Sequence, residues 1–171
     1  LCGQLDDALS VFNEEASVNN RTVVTWNAMI NVYAQHGRGR EALALFEEMI
    51  SHQVAPDEVT FISLLNACSH SGLVSEALDH FYSMTTKWQL SPNVKHVTCI
   101  VDALGRAGQL EEAEQFLDKV MEPNTITLTT LLGACRSQRD VIRGERIFAK
   151  IMALDPEEAS AYVLMANIYA L

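Results

Sequence analysis

From Val24 to His36 the chain carries no charged residue, and apolar side chains recur at Val24, Ala28, Ile30, Val32, Tyr33 and Ala34. Gly37 then suits the left-handed residue that ends a helix. A second periodic stretch follows from Arg38 to Ser51, with Ala42, Leu45, Phe46 and Met49 on one stripe and Glu41, Glu47 and Glu48 off it. Both stretches fit a helical period rather than the alternation of a strand. The pattern predicts a helix–turn–helix pair whose members approach closely at Ala42, where almost no side chain intervenes. Pro56-Asp57 breaks the second helix and starts a new unit. Pro92-Asn93 and Pro123-Asn124 repeat that punctuation, and Pro156-Glu157 echoes it.

The pair is one copy of an internal repeat. Gly37, Gly72 and Gly108 lie 35 and 36 residues apart, and each is followed five residues later by an alanine: Ala42, Ala77 and Ala113. Four residues further on stand Phe46, Phe81 and Leu117. Gly3, Ala8 and Phe12 keep the same offsets, and a degenerate copy places Arg139, Gly144 and Phe148 there. A period in this range marks a solenoid, because one helix pair cannot bury its apolar face without a neighbour. The expected fold is all-α, a right-handed superhelix of stacked pairs whose first helices line a groove and whose second helices form an outer layer. The first residues supply one outer helix and the last segment one inner helix, each without its partner. Both ends are therefore expected to show apolar surface, which suits a homodimer or an end-to-end contact.

Composition narrows the function. Of 171 residues, 49% are hydrophobic, and 12 Lys+Arg stand against 22 Asp+Glu, a net charge of −10. The apolar content fits a folded domain and not a disordered one. No apolar run is long enough to span a membrane. Leu1 to Asp7 show no basic start, and the absence of an initiator Met suggests a fragment without its targeting signals. Cys2, Cys68, Cys99 and Cys135 form no CxxC, and no HExxH or HxE pattern accompanies them, so neither metal nor cofactor is expected. These thiols read as small buried hydrophobes. The five histidines form no recognisable grouping with Ser and acid, and no glycine-rich phosphate loop occurs, so the chain is not expected to be an enzyme.

The quoted motifs resemble a pentatricopeptide-repeat protein along essentially the whole chain. Val23-Val24-Thr25-Trp26-Asn27-Ala28-Met29-Ile30 opens a 35-residue unit, 23–57, close to the family pattern. Residues 58–93 form a 36-residue unit that contains Leu64-Leu65-Asn66-Ala67-Cys68-Ser69-His70-Ser71-Gly72 and resembles the long type. Residues 94–124, with Val101-Asp102-Ala103-Leu104-Gly105-Arg106-Ala107-Gly108, are 31 residues long and resemble the short type. That order is similar to the mixed-length subclass near its C-terminal end. Residues 125–158, with Leu131-Leu132-Gly133-Ala134-Cys135-Arg136, resemble its extension motif, and 159–171 the start of a second. Residues 1–22 resemble the latter half of a repeat, with a linker over Ala16 to Thr22 longer than usual. The deaminase-like domain that follows in many members has no counterpart here.

The resemblance implies that the fifth and last residues of a repeat select one base of single-stranded RNA and that second residues of adjacent repeats sandwich it. On this chain Asn27 and Asp57 resemble the uracil code, flanked by Val24 and Val59. Thr98 and Asn124 resemble the adenine code, flanked by Lys95 and Ile126. Ile62 and Asn93 give no clear preference. The implied site is 5′-U-N-A-3′. The side chains suit the task, because Asn offers a donor and an acceptor in one plane and Thr can rotate its hydroxyl. Other readings stay open at this point: Asp57, Asn93 and Asn124 as helix caps, Asn27 and Thr98 as solvated polar residues, Val24 and Val59 as inter-repeat core.

The acidity needs an explanation in an RNA binder. Through residue 124 the chain has 7 basic and 17 acidic residues, and from 125 onward 5 of each. Yet Val24–His36 and Val59–Ser71, both expected groove helices, carry no Asp, Glu, Lys or Arg. The acids collect on outer helices at Glu41, Glu47, Glu48, Glu76, Asp79, Glu111, Glu112 and Glu114, read as a solvated face. A Debye length of about 8 Å screens them from the groove. Few counterions would be released, leaving stacking, worth about 1–3 kcal/mol per base, and edge hydrogen bonds. Micromolar or poorer affinity is expected.

The family implies the specificity part of an organellar factor, in mitochondrion or chloroplast, for C-to-U RNA editing or RNA processing. Its extension motif would position or recruit an editing or deaminase-domain partner. Ala153-Leu154-Asp155-Pro156 and Ala161-Tyr162 resemble tetratricopeptide repeats instead, which implies a protein-interaction module without RNA reading. Substituting Asn27 and Asp57 is expected to separate the two, with changed base preference and little loss of thermal stability on the first reading.

Overall fold

The computed structural model describes Leu5, Asp7, Leu9, Ser10, Phe12 and residues 21–170; of the first twenty, these five are helical. Of the expected half-repeat at 1–22, Gly3, Ala8, Cys2 and most of the long linker lie outside the described residues. Among the described residues from 21 onward, nine helices run in order: α1 Val23–Gln35, α2 Gly39–Ser51, α3 Glu58–His70, α4 Val74–Thr86, α5 Val94–Arg106, α6 Leu110–Val120, α7 Thr125–Gln138, α8 Val141–Leu154 and α9 Ala159–Tyr169. No strand occurs among the described residues.

Local chemistry sets the helix starts. Thr22, Asp57 and Asn124 each accept, through a side-chain oxygen, the backbone N–H three residues on, which satisfies a donor the helix itself cannot. Asp57 with Thr60, and Asn93 with His96, form reciprocal capping boxes. Within each pair the first helix ends in a left-handed residue: Gly37 (φ 65°), Gly72 (φ 69°), Gly108 (φ 78°) and, in the degenerate copy, Arg139 (φ 57°). The next N–H turns back to the carbonyl five residues earlier in all four, from Arg38 to Tyr33, Leu73 to Cys68, Gln109 to Leu104 and Asp140 to Cys135, at 2.9–3.0 Å. This Schellman-type closure explains the glycine spacing.

The chain divides into two compact units, Leu1–Pro92 and Asn93–Leu171. In the first, α1 packs on α3, and each packs on its following helix, with α2 also on α3. Its core is Trp26, Ile30, Met49, Phe61, Leu64, Leu65 and Met84, all fully buried, and Phe46 meets Phe61 edge-on at 5.6 Å. Ala42 and Ala77 are fully buried where the paired helices meet. Gly39 lies so close to α3 that a Cβ there would stand 2.8 Å from the Ala67 carbonyl oxygen.

In the second unit α5 packs on α7, and α7 on α8 and α9, around Ile100, Leu131, Leu132, Ile147 and Ile151. A polar pin joins α6 to α8. The Glu114 carboxylate accepts from Arg143 (2.8 Å), Arg146 (2.6 Å) and Lys150 (3.2 Å), and Arg143 also reaches Glu111 and Asp140. Glu114 therefore departs from the solvated face expected of the outer acids: its side chain is 13% exposed and holds three cations. Glu47, Glu48, Asp79, Glu111 and Glu112 do lie exposed.

Candidate nucleic-acid interface

Asn27 is placed by the first turn and a half of α1, Asp57 by the cap of α3. The two meet: Asn27 Nδ2 donates to Asp57 Oδ1 at 3.0 Å. Thr60, one turn into α3, completes the group. Its hydroxyl lies 2.6 Å from Asn27 Oδ1 and 2.9 Å from Asp57 Oδ1, and it accepts the Asp57 N–H at 3.0 Å. Its own N–H donates to Asp57 Oδ1 at 2.8 Å. Partial burial pushes the Asp57 carboxyl up, but hydrogen bonds from Thr60 and Asn27 outweigh it and hold the group below its usual range, so Asp57 is ionised at neutral pH.

Asn27 is 7% exposed, which removes its reading as a solvated polar residue. The same burial revises the expectation that its substitution leaves stability nearly unchanged, because its loss strands buried partners. Val24 and Val59, at 71% and 53% exposure, are not inter-repeat core. Large apolar side chains so exposed at a helix start are available to stack on a flat ligand.

In the second unit the arrangement is looser. The Thr98 hydroxyl donates back to the Val94 carbonyl at 2.8 Å, and Asn124 Oδ1 accepts from the Thr127 N–H at 3.0 Å, with Nδ2 3.4 Å from Met121 Sδ. No hydrogen bond joins Thr98 to Asn124 among the described residues. Lys95 is exposed and Ile126 is 61% exposed. Ile62 is half-buried on α3, and Asn93 caps α5, its Oδ1 accepting the Lys95 N–H at 3.0 Å. Asp57, Asn93 and Asn124 are thus all helix caps, and in Asp57 the cap and a contact to the fifth residue of its own unit coexist.

Sequence reasoning passed over Thr60, although the Asp-x-x-Thr spacing is a capping-box signal. It also passed over a cleft of about 340 Å³ between α5 and α7, lined by Arg106, Thr129 and Arg136 among others. The Thr129 hydroxyl is buried there without a partner. At the far end of the unit, Phe148, Tyr162, Met165 and Tyr169 line an open apolar cleft of about 560 Å³. The Tyr162 hydroxyl donates to the Pro156 carbonyl at 2.9 Å, so the residue also ties α9 to the loop before it. No group of three or more His, Cys, Asp or Glu among the described residues could hold a metal ion. No helix among the described residues is long and apolar enough to cross a membrane.

Comparison with known proteins accords with this fold. A model of the PPR repeat family matches residues 21–70, and a PPR repeat model matches 59–88 and 96–122, together more than half of the chain. A pentatricopeptide repeat-containing protein of Arabidopsis thaliana is 46% identical over 99% of this chain and 17% of its own length. Another from the same plant, named as mitochondrial, is 44% identical over 99% of this chain and 26% of its own. The chain thus spans well under a third of these relatives. Among solved structures, maize PPR10 superposes with a TM-score of 0.81 at 27% identity, over 98% of this chain and 25% of its own. PPR10 in complex with an 18-nt psaJ RNA element gives 0.83 at 21% identity, over 94% of this chain and 24% of its own. The PPR domain of Arabidopsis protein-only RNase P 1, solved with tRNA, gives 0.73 at 15% identity, over 99% of this chain and 92% of its own. With its all-helical fold of stacked pairs and these matches, the chain belongs to the pentatricopeptide repeat family.

Proposed function

We propose that this chain binds single-stranded RNA and reads bases with pairs of side chains at its repeat boundaries, uracil at Asn27 and Asp57 and adenine at Thr98 and Asn124. The observation that carries the reading is the direct Asn27–Asp57 hydrogen bond at 3.0 Å, which joins a fifth and a last residue into one polar group. Exposed Val24 and Val59 flank that group in the sequence and offer the apolar faces a base would lie between. Ile62 and Asn93 would accept any base, giving 5′-U-N-A-3′. The RNA-bound PPR10 and the tRNA-bound RNase P domain support RNA as the ligand class.

The repeats belong to the mixed-length subclass, with an extension motif at 125–158, and serve as the specificity part of an organellar editing or processing factor. Relatives named as mitochondrial support an organelle. The apolar cleft of Phe148, Tyr162, Met165 and Tyr169 favours a second, compatible role, docking of a protein partner such as an editing enzyme, or of a second copy, at the extension end. Fluorescence anisotropy against short U-N-A RNAs, scrambled RNA and the matching DNA tests the reading. Preference for the U-N-A RNA at micromolar concentration supports it, and equal binding of all three, or of none, defeats it.

A further inference from the structure

We infer that Thr60 is a positioning residue for base selection: its hydroxyl holds the carbonyl oxygen of Asn27 in a buried hydrogen bond, so that Asn27 turns its part-buried amide donor, and not that oxygen, toward a base. The inference rests on the proposed reading of uracil by Asn27 and Asp57, and adds a residue outside the fifth and last positions.

The Asn27 amide could face either way. Turned over, its oxygen would lie about 3 Å from the Asp57 carboxylate, acceptor against acceptor, so Asp57 takes the Nδ2 side. The Thr60 hydroxyl has a single proton. It already accepts the Asp57 N–H, and Asp57 Oδ1 already receives Asn27 Nδ2 and the Thr60 N–H. Donating that proton to Asn27 Oδ1, the shorter contact at 2.6 Å, gives the buried oxygen a donor in a site where Asn27 is 7% exposed. One amide hydrogen of Asn27 then remains for a ligand. It suits the O4 carbonyl of uracil and meets, donor against donor, the exocyclic amino group that cytosine carries in its place.

Without the hydroxyl, Asn27 Oδ1 loses its donor, and the amide gains by turning outward to accept one from a base. Cytosine then becomes acceptable where uracil was preferred. Thr127 is the internal comparison. It holds the same capping position on α7, but its hydroxyl donates to the Asn124 backbone carbonyl at 3.2 Å and governs no fifth residue.

The test is the ratio of affinities for U-N-A and C-N-A RNA, read by anisotropy competition on the whole chain carrying Thr60→Val, Thr60→Ser or Thr127→Val. Wild type and Thr60→Ser should prefer uracil by about three- to tenfold, the discrimination that one neutral hydrogen bond provides. Thr60→Val should bring the ratio close to one while preference for adenine over guanine at the third base stays unchanged, which a general loss of structure would not allow. Thr127→Val should keep the uracil preference. A wild type without uracil preference removes the underlying reading and this inference with it; a wild type with that preference and a folded Thr60→Val that retains it overturns the inference alone. Should Thr60→Val not fold, the side-chain amide NMR signals of Asn27 in the wild type decide. One of the two hydrogens should shift on adding U-N-A RNA and not C-N-A RNA, and movement of both or of neither contradicts the proposed orientation.

Discussion

Asn27 joins stability to recognition. Its amide lies between Asp57 and Thr60, and both partners are helix-start groups that cannot move toward new ones. Asn27→Ala should therefore lower unfolding free energy by about 1–3 kcal/mol, the cost of stranding buried polar groups, and this shows as a fall in thermal midpoint by circular dichroism. An unchanged midpoint would mean that the network does not hold α1 to α3. The type of each residue here was legible in the sequence, as was its register in the repeat. Its burial was not, since exposure depends on how far α1 approaches the cap of α3, and spacing along one chain does not report that distance. Thr60 shows the same limit: the cap spacing was present in the sequence, but its second bond crosses 33 residues to Asn27. The buried thiols Cys68, Cys99 and Cys135, with pKa values pushed up to about 12 by burial, match the reading as small hydrophobes.

At the scale of elements, the glycine–alanine–aromatic register carried most of the fold, because each residue answers one physical demand: a positive φ, a close crossing, a filled core. Where the register degenerates, side-chain chemistry takes over. The last full pair has Arg139 in the left-handed position after α7 and Gly144 at a close approach in α8, and α8 gains the Glu114 pin in addition. Burial pushes the Glu114 carboxyl up, but hydrogen bonds from Arg146 and Lys150 and their charges prevail and hold it below the usual range. A carboxyl whose folded pKa is depressed stabilises above its unfolded value, near 4.3, and that contribution is lost as pH falls through the folded one. Glu114→Ala should therefore cost about 1–2 kcal/mol at pH 7, and the gap from wild type should shrink as pH drops below about 4. Thermal melts at several pH values check this, and a gap that stays constant into acid would assign the loss to packing instead. The sequence placed Glu114 among outward acids because helical periodicity gives direction within one helix; the three cations come from the neighbouring one.

For the whole molecule, the excess of acid and the proposed RNA ligand are compatible because the charge is distributed by helix type. α1 and α3 present polar and apolar groups and no Lys or Arg, with Glu58 at the start of α3 as their one acid, while exposed Glu47, Glu48 and Asp79 lie on α2 and α4. Affinity then depends on base contacts more than on phosphate attraction, which makes the side-chain pairs the decisive feature. The most direct measurement gives the first pair the identity of the second. In the chain carrying Asn27→Thr with Asp57→Asn, Thr at 27 can return its hydroxyl to its own helix as Thr98 does to Val94, and Asn at 57 can cap α3 as Asn124 caps α7. With folding verified by circular dichroism, anisotropy should show the preferred RNA change from U-N-A to A-N-A. A folded variant that still prefers U-N-A, or that binds both equally, would contradict base reading by these pairs.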